Sequence, residues 1–251
     1  MAHGLVRRMV TLVSLRNAGA LATMIPDDYH ELHARYGVTN PKANGYRSLA
    51  LFRREQAIVL ERIDSDRHPI LDIGCGTGLV LQPLISQSIA VVGLDLHGGA
   101  CLAARSNGVR SIQGDAINMP FARSSIGQAV NCGFLNQLNP EQATAFIAEV
   151  ARILMPGGRC IILWRHGKSL LHRVAHRAFR TLDRLFWGQP PFPQYTHSFA
   201  YIRQHARDQG LNIIEEAITL PPPAPITLPN THPTTWLFGA SLLIVLEKPN
   251  A

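Results

Sequence analysis

The chain has 251 residues, of which 46% are hydrophobic and 16% are charged. This length and composition fit one globular domain with additions and exclude a chain that is disordered throughout. No apolar run reaches the roughly 18 residues that a membrane-spanning helix needs, and the nearest candidate, 236–246, is too short. The formal net charge of +7 favours an anionic partner, which could be a membrane surface, a nucleic acid or an acidic substrate.

The amino-terminal part divides into two stretches. Residues 1–26 contain no acidic residue and carry three arginines among apolar residues. This pattern is typical of an organellar or secretory leader, but it also fits an extension before a compact part that begins at Met24. Residues 27–63 look mainly helical, so we expect them to cover the carboxyl edge of the sheet. We therefore assign 1–63 to an amino-terminal extension and helical cap.

Short apolar runs then alternate with longer segments of helical periodicity, which predicts a parallel sheet with helices on both faces. The predicted strands are 69–73, 90–95, 109–113, 128–132, 159–163, 211–220 and 241–247. The predicted helices between them are 78–86, 98–106 and 140–154. We expect the last helix to begin after the capping residue Asn139 and to end at Pro156-Gly157-Gly158. Residues 221–235, rich in proline and threonine, predict a long loop.

The four cysteines, Cys75, Cys101, Cys132 and Cys160, are scattered without a C-x-x-C pair. This spacing indicates a reducing compartment and predicts neither a disulfide framework nor a zinc site. We therefore expect a cytoplasmic protein with no metal site.

The sharpest motif is the segment 70–78, an apolar strand that continues directly into a glycine-rich turn and a helix. Glycines allow the backbone to approach a ligand closely, and a helix start offers free N–H donors to a carboxylate or phosphate. The second strand ends in Asp95, whose carboxylate can accept both hydroxyls of a ribose. These features predict an adenosine-containing ligand, either a dinucleotide or S-adenosylmethionine (SAM). The spacing G-x-G-x-G is present, whereas the G-x-G-x-x-G of nicotinamide enzymes is not.

With this loop the chain resembles the class I SAM-dependent methyltransferases, especially the branch that acts on small molecules such as quinones and lipids. The resemblance covers roughly residues 65–165. It implies SAM as the cofactor and an α/β, Rossmann-like sheet of seven mostly parallel strands. The implied strand order is 3-2-1-4-5-7-6, with the last strand antiparallel and helices on both faces.

The resemblance also implies roles for particular residues. In that family the D-x-G-x-G-x-G loop holds the methionine end of SAM, and the matching positions here are Asp72, Gly74, Cys75, Gly76 and Gly78. The acid that holds the ribose maps to Asp95, with Leu96 beside the adenine. A segment similar to the family's G-D-A-x-x-L-P-F places Asp115 and Ala116 at the adenine amino group. Cys132 lies where the methionine moiety would pass.

Two further segments bear on the resemblance. Residues 152–158 are similar to the family's R-x-L-x-P-G-G turn before the fifth strand. The fourth strand departs from the family, which often has an Asp two residues before a Val, because the chain reads Gln128-Ala129-Val130-Asn131-Cys132. This departure keeps open a protein that binds SAM or a nucleotide without catalysis.

Methyl transfer is an in-line displacement that an enzyme can promote largely by positioning and water exclusion. A base is needed only where the acceptor must lose a proton, and His166, after the fifth strand, is the catalytic candidate. A solvated surface histidine is the alternative. Tyr29 and Tyr36 resemble tyrosines that cover SAM in relatives, and Arg47 is a similar candidate for the substrate side. Core tyrosines are the alternative.

Residues 169–187 have apolar residues at helical spacing, while four arginines line another face. This predicts a basic amphipathic helix within 169–198, where the family commonly inserts an acceptor lid. Such a helix also suits the surface of an anionic membrane, which a lipid acceptor would require. The alternative is a helix packed on the sheet with a solvated charged face.

Together these observations predict one domain that transfers a methyl group from SAM to a small, hydrophobic or lipid-like acceptor. Its parts are a SAM-binding core at 64–168, the lid at 169–198 and the carboxyl-terminal part of the sheet at 199–251. An RNA methyltransferase is the alternative that the charge supports. Against it, the sequence lacks N-P-P-Y, a Pro-Cys nucleophile and an appended RNA-binding motif. The sequence does not predict the oligomeric state.

Overall fold

The computed structural model describes residues 33–46, 48–166, 195–220, 227–229 and 240–250. Its strands are β1 Ile70–Ile73, β2 Val91–Asp95, β3 Arg110–Gln113, β4 Ile126–Cys132, β5 Leu154–Arg165, β6 Asn212–Thr219, β7 Thr227–Pro229 and β8 Ser241–Glu247. The α-helices with both ends in this part of the chain are α1 Leu49–Leu60, α2 Gln82–Ser86, α3 Gly98–Ser106, α4 Pro140–Ile153 and α5 Phe199–Asp208.

The strands form one sheet in the order β3-β2-β1-β4-β5-β8-β6-β7. The pairs from β3 to β5 are parallel, and β8 runs antiparallel to both β5 and β6. This confirms the predicted Rossmann-like order, with β8 as the predicted last strand. The loop predicted over 221–235 is wrong at Thr227–Pro229, which pairs antiparallel with β6 as an edge strand. Three residues that include a proline carry no strand signal, and a proline is tolerated at a sheet edge.

Central strands are buried on both faces, as the near-continuous apolar runs of a parallel sheet require. Every residue of β1 is buried, and β8 is buried over its first six residues. On one face, Trp164 belongs to a core that includes α4 and α5; on the other, Leu163 packs with residues of α1. Because successive side chains of a strand point to opposite faces, Leu163 and Trp164 confirm that helices cover both faces of the sheet.

The ends of two helices differ from the prediction. Helix α4 starts as expected, since Asn139 and Gln142 form a capping box and Pro140 occupies the first turn. It ends at Ile153 rather than at 156–158, because Leu154 already pairs with Ile126, and 156–158 lie within β5 at a register shift. Helix α2 begins at Gln82 rather than at 78, where the backbone has a positive φ that no right-handed helix adopts.

Helix α1 runs opposite to the parallel strands. Midway along it, Arg54 donates a hydrogen bond to Thr219 at the end of β6. Just after its end, Arg62 pairs with Glu215 near the beginning of β6. The first turns of α1 therefore lie at the carboxyl edge of the sheet, where open α/β sheets place their ligand sites.

Candidate cofactor and acceptor site

The turn after β1 is tied to β2 by hydrogen bonds. The N–H groups of Gly74 and Cys75 both donate to the carbonyl oxygen of Leu94, at 2.8 and 3.1 Å. The N–H of Gly76 donates to Oδ2 of Asp95 at 2.8 Å. The structure thus brings together the glycine loop and the acid after the second strand, which the sequence assigned to one site.

Glycine is required in this loop by backbone conformation and by packing. Gly76 has a φ of +53°, and a Cβ there would lie 2.7 Å from Oδ1 of Asn44. Gly78 has a φ of +77°, and its Cβ would lie 2.6 Å from Cγ2 of Val109. Both positions are therefore closed to larger residues, because a side chain would combine a left-handed backbone with a steric clash.

The expectation of free N–H donors at the start of a helix is wrong for the loop itself. The N–H of Thr77 donates to Oδ1 of Asn44 at 3.0 Å, and that of Gly78 donates to the carbonyl of Cys75 at 2.8 Å. All five N–H groups from 74 to 78 thus bond within the protein. Asn44 was not predicted, and its place in an Asn-Gly turn gives no signal of this contact.

Two buried side-chain atoms of the loop region have no hydrogen-bond partner, Oδ2 of Asp72 and Oγ1 of Thr77. Burial, together with the nearby Asp95 carboxylate, raises the pKa of Asp72 to about 7. An unpartnered buried carboxylate oxygen calls for a cationic or hydrogen-bond-donating ligand group. The ammonium and carboxylate of a methionine moiety fit this pair of atoms, so the loop is chemically suited to SAM.

Asp95 is buried at the end of β2. Its Oδ2 accepts from Gly76 and its Oδ1 accepts from the N–H of His97 at 2.9 Å. Burial raises the pKa of this carboxyl, and the two backbone hydrogen bonds oppose that rise. A carboxylate has about four acceptor positions. Two therefore remain for the ribose hydroxyls assigned to it, a role that stays a prediction.

The predicted adenine residues lie beside the ends of β2 and β3. The N–H of Gly114 donates to the Asp95 carbonyl at 2.9 Å, which ties this segment to β2. Asp115 is half-buried and accepts from the N–H of Ile117 at 3.0 Å, while Ala116 is buried. Leu96 is half-buried on the same edge. Their contact with adenine stays a prediction.

Cys132, at the end of β4, faces a tyrosine that was not predicted. The Tyr46 hydroxyl lies 3.4 Å from the Cys132 Sγ, and the Tyr46 ring packs edge-on against Phe52 at 5.1 Å. Burial raises the pKa of both groups, and the nearby Glu55 carboxylate adds to the rise in each. Phenol and thiol therefore remain neutral near pH 7, in aromatic surroundings at the carboxyl edge.

The departure in the fourth strand has a structural explanation. Oε1 of Gln128 accepts from the N–H of Asp64, and its Nε2 donates to the carbonyl of Arg62, at the amino end of β4. Asn131 donates to the carbonyl of Ile73 at 3.0 Å. Gln128 thus acts at the edge opposite the glycine loop, while Asn131 holds the end of β1 beside it.

Tyr36 and His166, the other predicted residues in the described part of the chain, have contacts with groups outside the loop. The Tyr36 ring lies 5.4 Å from the guanidinium carbon of Arg35 and 5.5 Å from Nζ of Lys42. His166 follows β5 at the carboxyl edge, and its N–H donates to the carbonyl of Ala240 at 2.9 Å. Their roles stay predictions. Tyr29, Arg47 and the segment 169–187 lie outside the described residues.

Residues 71–162 match the family described as "Methyltransferase domain". The chain is 30% identical over 132 residues to probable tRNA methyltransferase 9B of Homo sapiens, a match that covers 52% of this chain and 28% of that protein. It is 30% identical over 159 residues to demethylmenaquinone methyltransferase of Paenarthrobacter aurescens, covering 58% of each. The chain thus spans less than two thirds of either relative.

A solved structure shares the fold. The SAM-dependent methyltransferase of Thermotoga maritima, described as a possible histamine N-methyltransferase, superimposes with a TM-score of 0.63 at 19% identity. The match covers 85% of this chain and 99% of that one. The sheet order and the loop define a Rossmann-like domain for an adenosine-containing ligand. Residues 71–162 thus match a methyltransferase domain, and the fold is shared with a solved SAM-dependent methyltransferase.

None of the helices in the described part of the chain combines the length and hydropathy needed to cross a membrane. The four cysteines are free, and burial raises the pKa of the Cys75, Cys101 and Cys160 thiols. These thiols are therefore poor nucleophiles near pH 7.

Proposed function

We propose that the protein transfers a methyl group from SAM to a small, hydrophobic or lipid-like acceptor. The observation that carries the proposal is the unpartnered Oδ2 of Asp72, buried close to a second carboxylate, Asp95. Two buried carboxylates beside a loop whose N–H groups are already bonded disfavour the pyrophosphate of a dinucleotide. They favour a ligand that carries positive charge, as SAM does.

The residues of the site divide the work of binding. Asp72 and Thr77 would hold the ammonium and carboxylate of the methionine end, Asp95 the ribose hydroxyls, and Asp115 the adenine amino group. When bound, SAM supplies a methyl group on a cationic sulfonium. Tyr46 and Cys132 would exclude water from the reacting face, because both are buried and neutral. His166 is the proposed base where the acceptor must lose a proton.

A small hydrophobic acceptor is supported by two observations. Aromatic side chains lie at the carboxyl edge near the methionine end, among them Phe134, whose ring packs on Gly74. One relative is named as a demethylmenaquinone methyltransferase, and the match spans 58% of both chains. An aromatic, neutral surface recognises an apolar molecule by removing its surface from water.

RNA is the second candidate acceptor. It is supported by the relative named as a probable tRNA methyltransferase and by the net charge of +7. Positive charge alone binds nucleic acid without choosing a sequence. A third possibility, a domain that binds SAM without transferring its methyl group, is separated from both by the transfer experiment below.

Binding of the cofactor is tested by calorimetry of the full chain with SAM, its demethylated product and NAD. We expect both adenosyl compounds to bind and NAD to bind at least tenfold more weakly, since its pyrophosphate meets two buried carboxylates. Tight NAD binding without a response to either adenosyl compound would contradict the proposal.

The acceptor is tested by transfer of a labelled methyl group from SAM into fractionated cell extract. We expect the label in the organic-solvent fraction. Label in the RNA fraction, removed by ribonuclease, would establish the second candidate instead. If SAM binds but the label enters neither fraction, the protein binds SAM without transferring its methyl group.

We further propose that the protein acts in the cytoplasm and touches anionic membranes through the helix predicted at 169–187. Neutralising Arg173, Arg177 and Arg180 together should weaken binding to phosphatidylserine vesicles, measured by sedimentation, on the order of 100-fold, at about 1 kcal/mol per charge near the surface. Neutralising Arg203, Arg207 and Arg110 serves as the control of equal charge. Equal losses in both triple variants would leave the helix without a specific role.

A further inference from the structure

A second group of buried polar side chains lies at the carboxyl edge, beyond β5 from the glycine loop. Arg54 and Glu55 of α1, Thr219 of β6 and Ser241 of β8 are all buried, and we name them the Arg54 cluster. Nη2 of Arg54 donates to Oγ1 of Thr219 at 3.1 Å, and Oγ of Ser241 donates to Oε1 of Glu55 at 2.6 Å. The N–H of Ser241 also donates to Oγ1 of Thr219 at 3.1 Å.

The guanidinium of this cluster is only partly satisfied. Arg54 is only 6% exposed, and its Nε and Nη1 are buried without a hydrogen-bond partner. A guanidinium stays protonated in proteins and offers five N–H donors. Loss of a proton therefore does not remove the free-energy cost of burying these unpaired nitrogens. Buried donors without partners are rare in folded proteins and call for an acceptor that the described part of the chain does not supply.

The charge around the cluster indicates the sign of that acceptor. Arg165, Ser241 and Thr219 are register partners across β5, β8 and β6, so they stand at one level of the carboxyl edge. Arg165 lies two residues beyond Leu163, whose side chain faces α1, and strand alternation gives Arg165 the same face. The unpartnered Nε and Nη1 of Arg54 therefore lie at this edge beside the hydroxyls of Thr219 and Ser241 and the carboxylate of Glu55, with the exposed Arg165 on the same face. Such a donor-rich site suits an oxyanion.

The cluster is separated from the predicted cofactor site by a measurable span. β8 and β6 are the second and third strands from β4, which carries Cys132. At about 4.8 Å between neighbouring strands, the cluster lies on the order of 10–15 Å from the end of β4. Glu55 reaches from the cluster toward Tyr46, and Tyr46 contacts Cys132, so these two side chains bridge this span.

We propose that the Arg54 cluster binds an oxyanion, a carboxylate or a phosphate, at the end of the methyl acceptor remote from the methylated atom. This rests on the proposed function, because the acceptor is the molecule that must span from Cys132 to Arg54. The acceptor is then an amphiphile, with an apolar reacting end near Tyr46 and an acidic end on the guanidinium.

The test uses the full chain and two simple probes, benzoate for a carboxylate and inorganic phosphate for a phosphate. Affinity is obtained from the rise of the thermal unfolding midpoint with probe concentration, with benzamide and sodium chloride as neutral and ionic-strength controls. The variants are Arg54→Met and, as the matched control, Arg53→Met, since Arg53 is an exposed neighbour on the same helix. SAM affinity is measured on all three proteins.

We expect at least one probe to stabilise the wild type and Arg53→Met, and Arg54→Met to lose at least tenfold in affinity for that probe. A response to benzoate alone identifies a carboxylate, and a response to phosphate alone identifies a phosphate. No response beyond that to chloride, or an equal response in Arg54→Met, overturns the proposal. Absence of SAM binding in the wild type would instead defeat the proposed function, so the two failures are distinguishable.

Arg54→Lys guards against an Arg54→Met chain that does not fold. Lysine keeps the positive charge but replaces the fork of donors with one ammonium, so we expect a smaller but clear loss, about threefold to tenfold. Unchanged affinity for both probes in Arg54→Lys, with SAM binding intact, contradicts recognition by the guanidinium.

Discussion

Two regions at one edge of the sheet bury charges of opposite sign. The glycine-loop region buries the carboxylates of Asp72 and Asp95, and the Arg54 cluster buries a guanidinium with one carboxylate beside it. Each leaves polar atoms without a partner, Oδ2 of Asp72 in the first and two nitrogens of Arg54 in the second. The carboxyl edge of the sheet therefore has two parts of opposite charge, one suited to a cationic ligand group and the other to an anionic one.

The two regions also differ in how the chain assembles them. The loop and Asp95 come from one strand–turn–helix–strand segment, joined by the hydrogen bond from Gly76 to Asp95. The Arg54 cluster joins α1 to the ends of β6 and β8, so that Arg54 and Thr219 are 165 positions apart. Only the first region is local enough to leave a motif.

The largest expected effect follows from Asp72→Asn, which tests whether the buried carboxylate serves the ligand rather than the fold. Folding raises the pKa of Asp72 from 3.8 to about 7. The unfolded chain therefore releases this proton near pH 4 and the folded chain near pH 7, so wild-type stability falls as pH rises between these values. At about 1.4 kcal/mol per pKa unit, the variant should gain about 4 kcal/mol at pH 8 and almost nothing at pH 4.

The measurement is chemical unfolding of the protein without ligand at both pH values, with the exposed Asp66→Asn as control. SAM affinity should change in the opposite direction. Wild-type affinity should rise between pH 6 and pH 8 as the carboxylate forms, and that of Asp72→Asn should be lower and flat. If the variant is only as stable as the wild type at pH 8, then burial of the ionised Asp72 carboxylate does not lower the free energy of unfolding, and the prediction is wrong.

A smaller effect is expected from Gly78→Ala, which tests whether the loop conformation is required. The new Cβ would lie 2.6 Å from Val109 on a backbone with a φ of +77°, and we expect a loss of about 2 kcal/mol in unfolding free energy. Gly210→Ala is the matched control, because Gly210 has a φ of +73° but nothing within 4 Å of its Cβ. It should lose about 1 kcal/mol. Equal losses in unfolding experiments would show that packing against Val109 contributes nothing.

The smallest expected effect is on cofactor affinity in Asp95→Ala. Loss of a charge-assisted hydrogen bond to the ribose should weaken SAM binding tenfold or more, about 1.4 kcal/mol at the lower bound. Phosphate and benzoate binding at the Arg54 cluster should not change, since the cluster lies on the other side of β5. Calorimetry with SAM checks the first result, and unchanged SAM affinity would remove Asp95 from the site. Asp66→Ala is the control for loss of an acidic residue.

Much of the fold was predictable because its signals are local. The bounds of Gly98–Ser106 and Ser241–Glu247 agree with the sequence prediction, and Asn139 caps α4 as expected. The start of α2 was wrong, because the glycines that mark the loop also hold it in conformations that exclude a helix. Thr227–Pro229 was missed since its strand character comes from pairing with β6 rather than from its own residues.

The sequence by itself indicated most of the strands and the positions of the glycine loop and Asp95, and its resemblance to a known family implied the class of the protein and the strand order. Apolar periodicity, turn residues and a contiguous motif act over short stretches of chain, so they are visible in one dimension. Only the tertiary structure decided which loop N–H groups are already bonded, that Tyr46 faces Cys132, and that Arg54 lies buried with unsatisfied donors. These properties depend on burial and on partners distant in sequence, which come together only when residues 40–60 pack on the sheet.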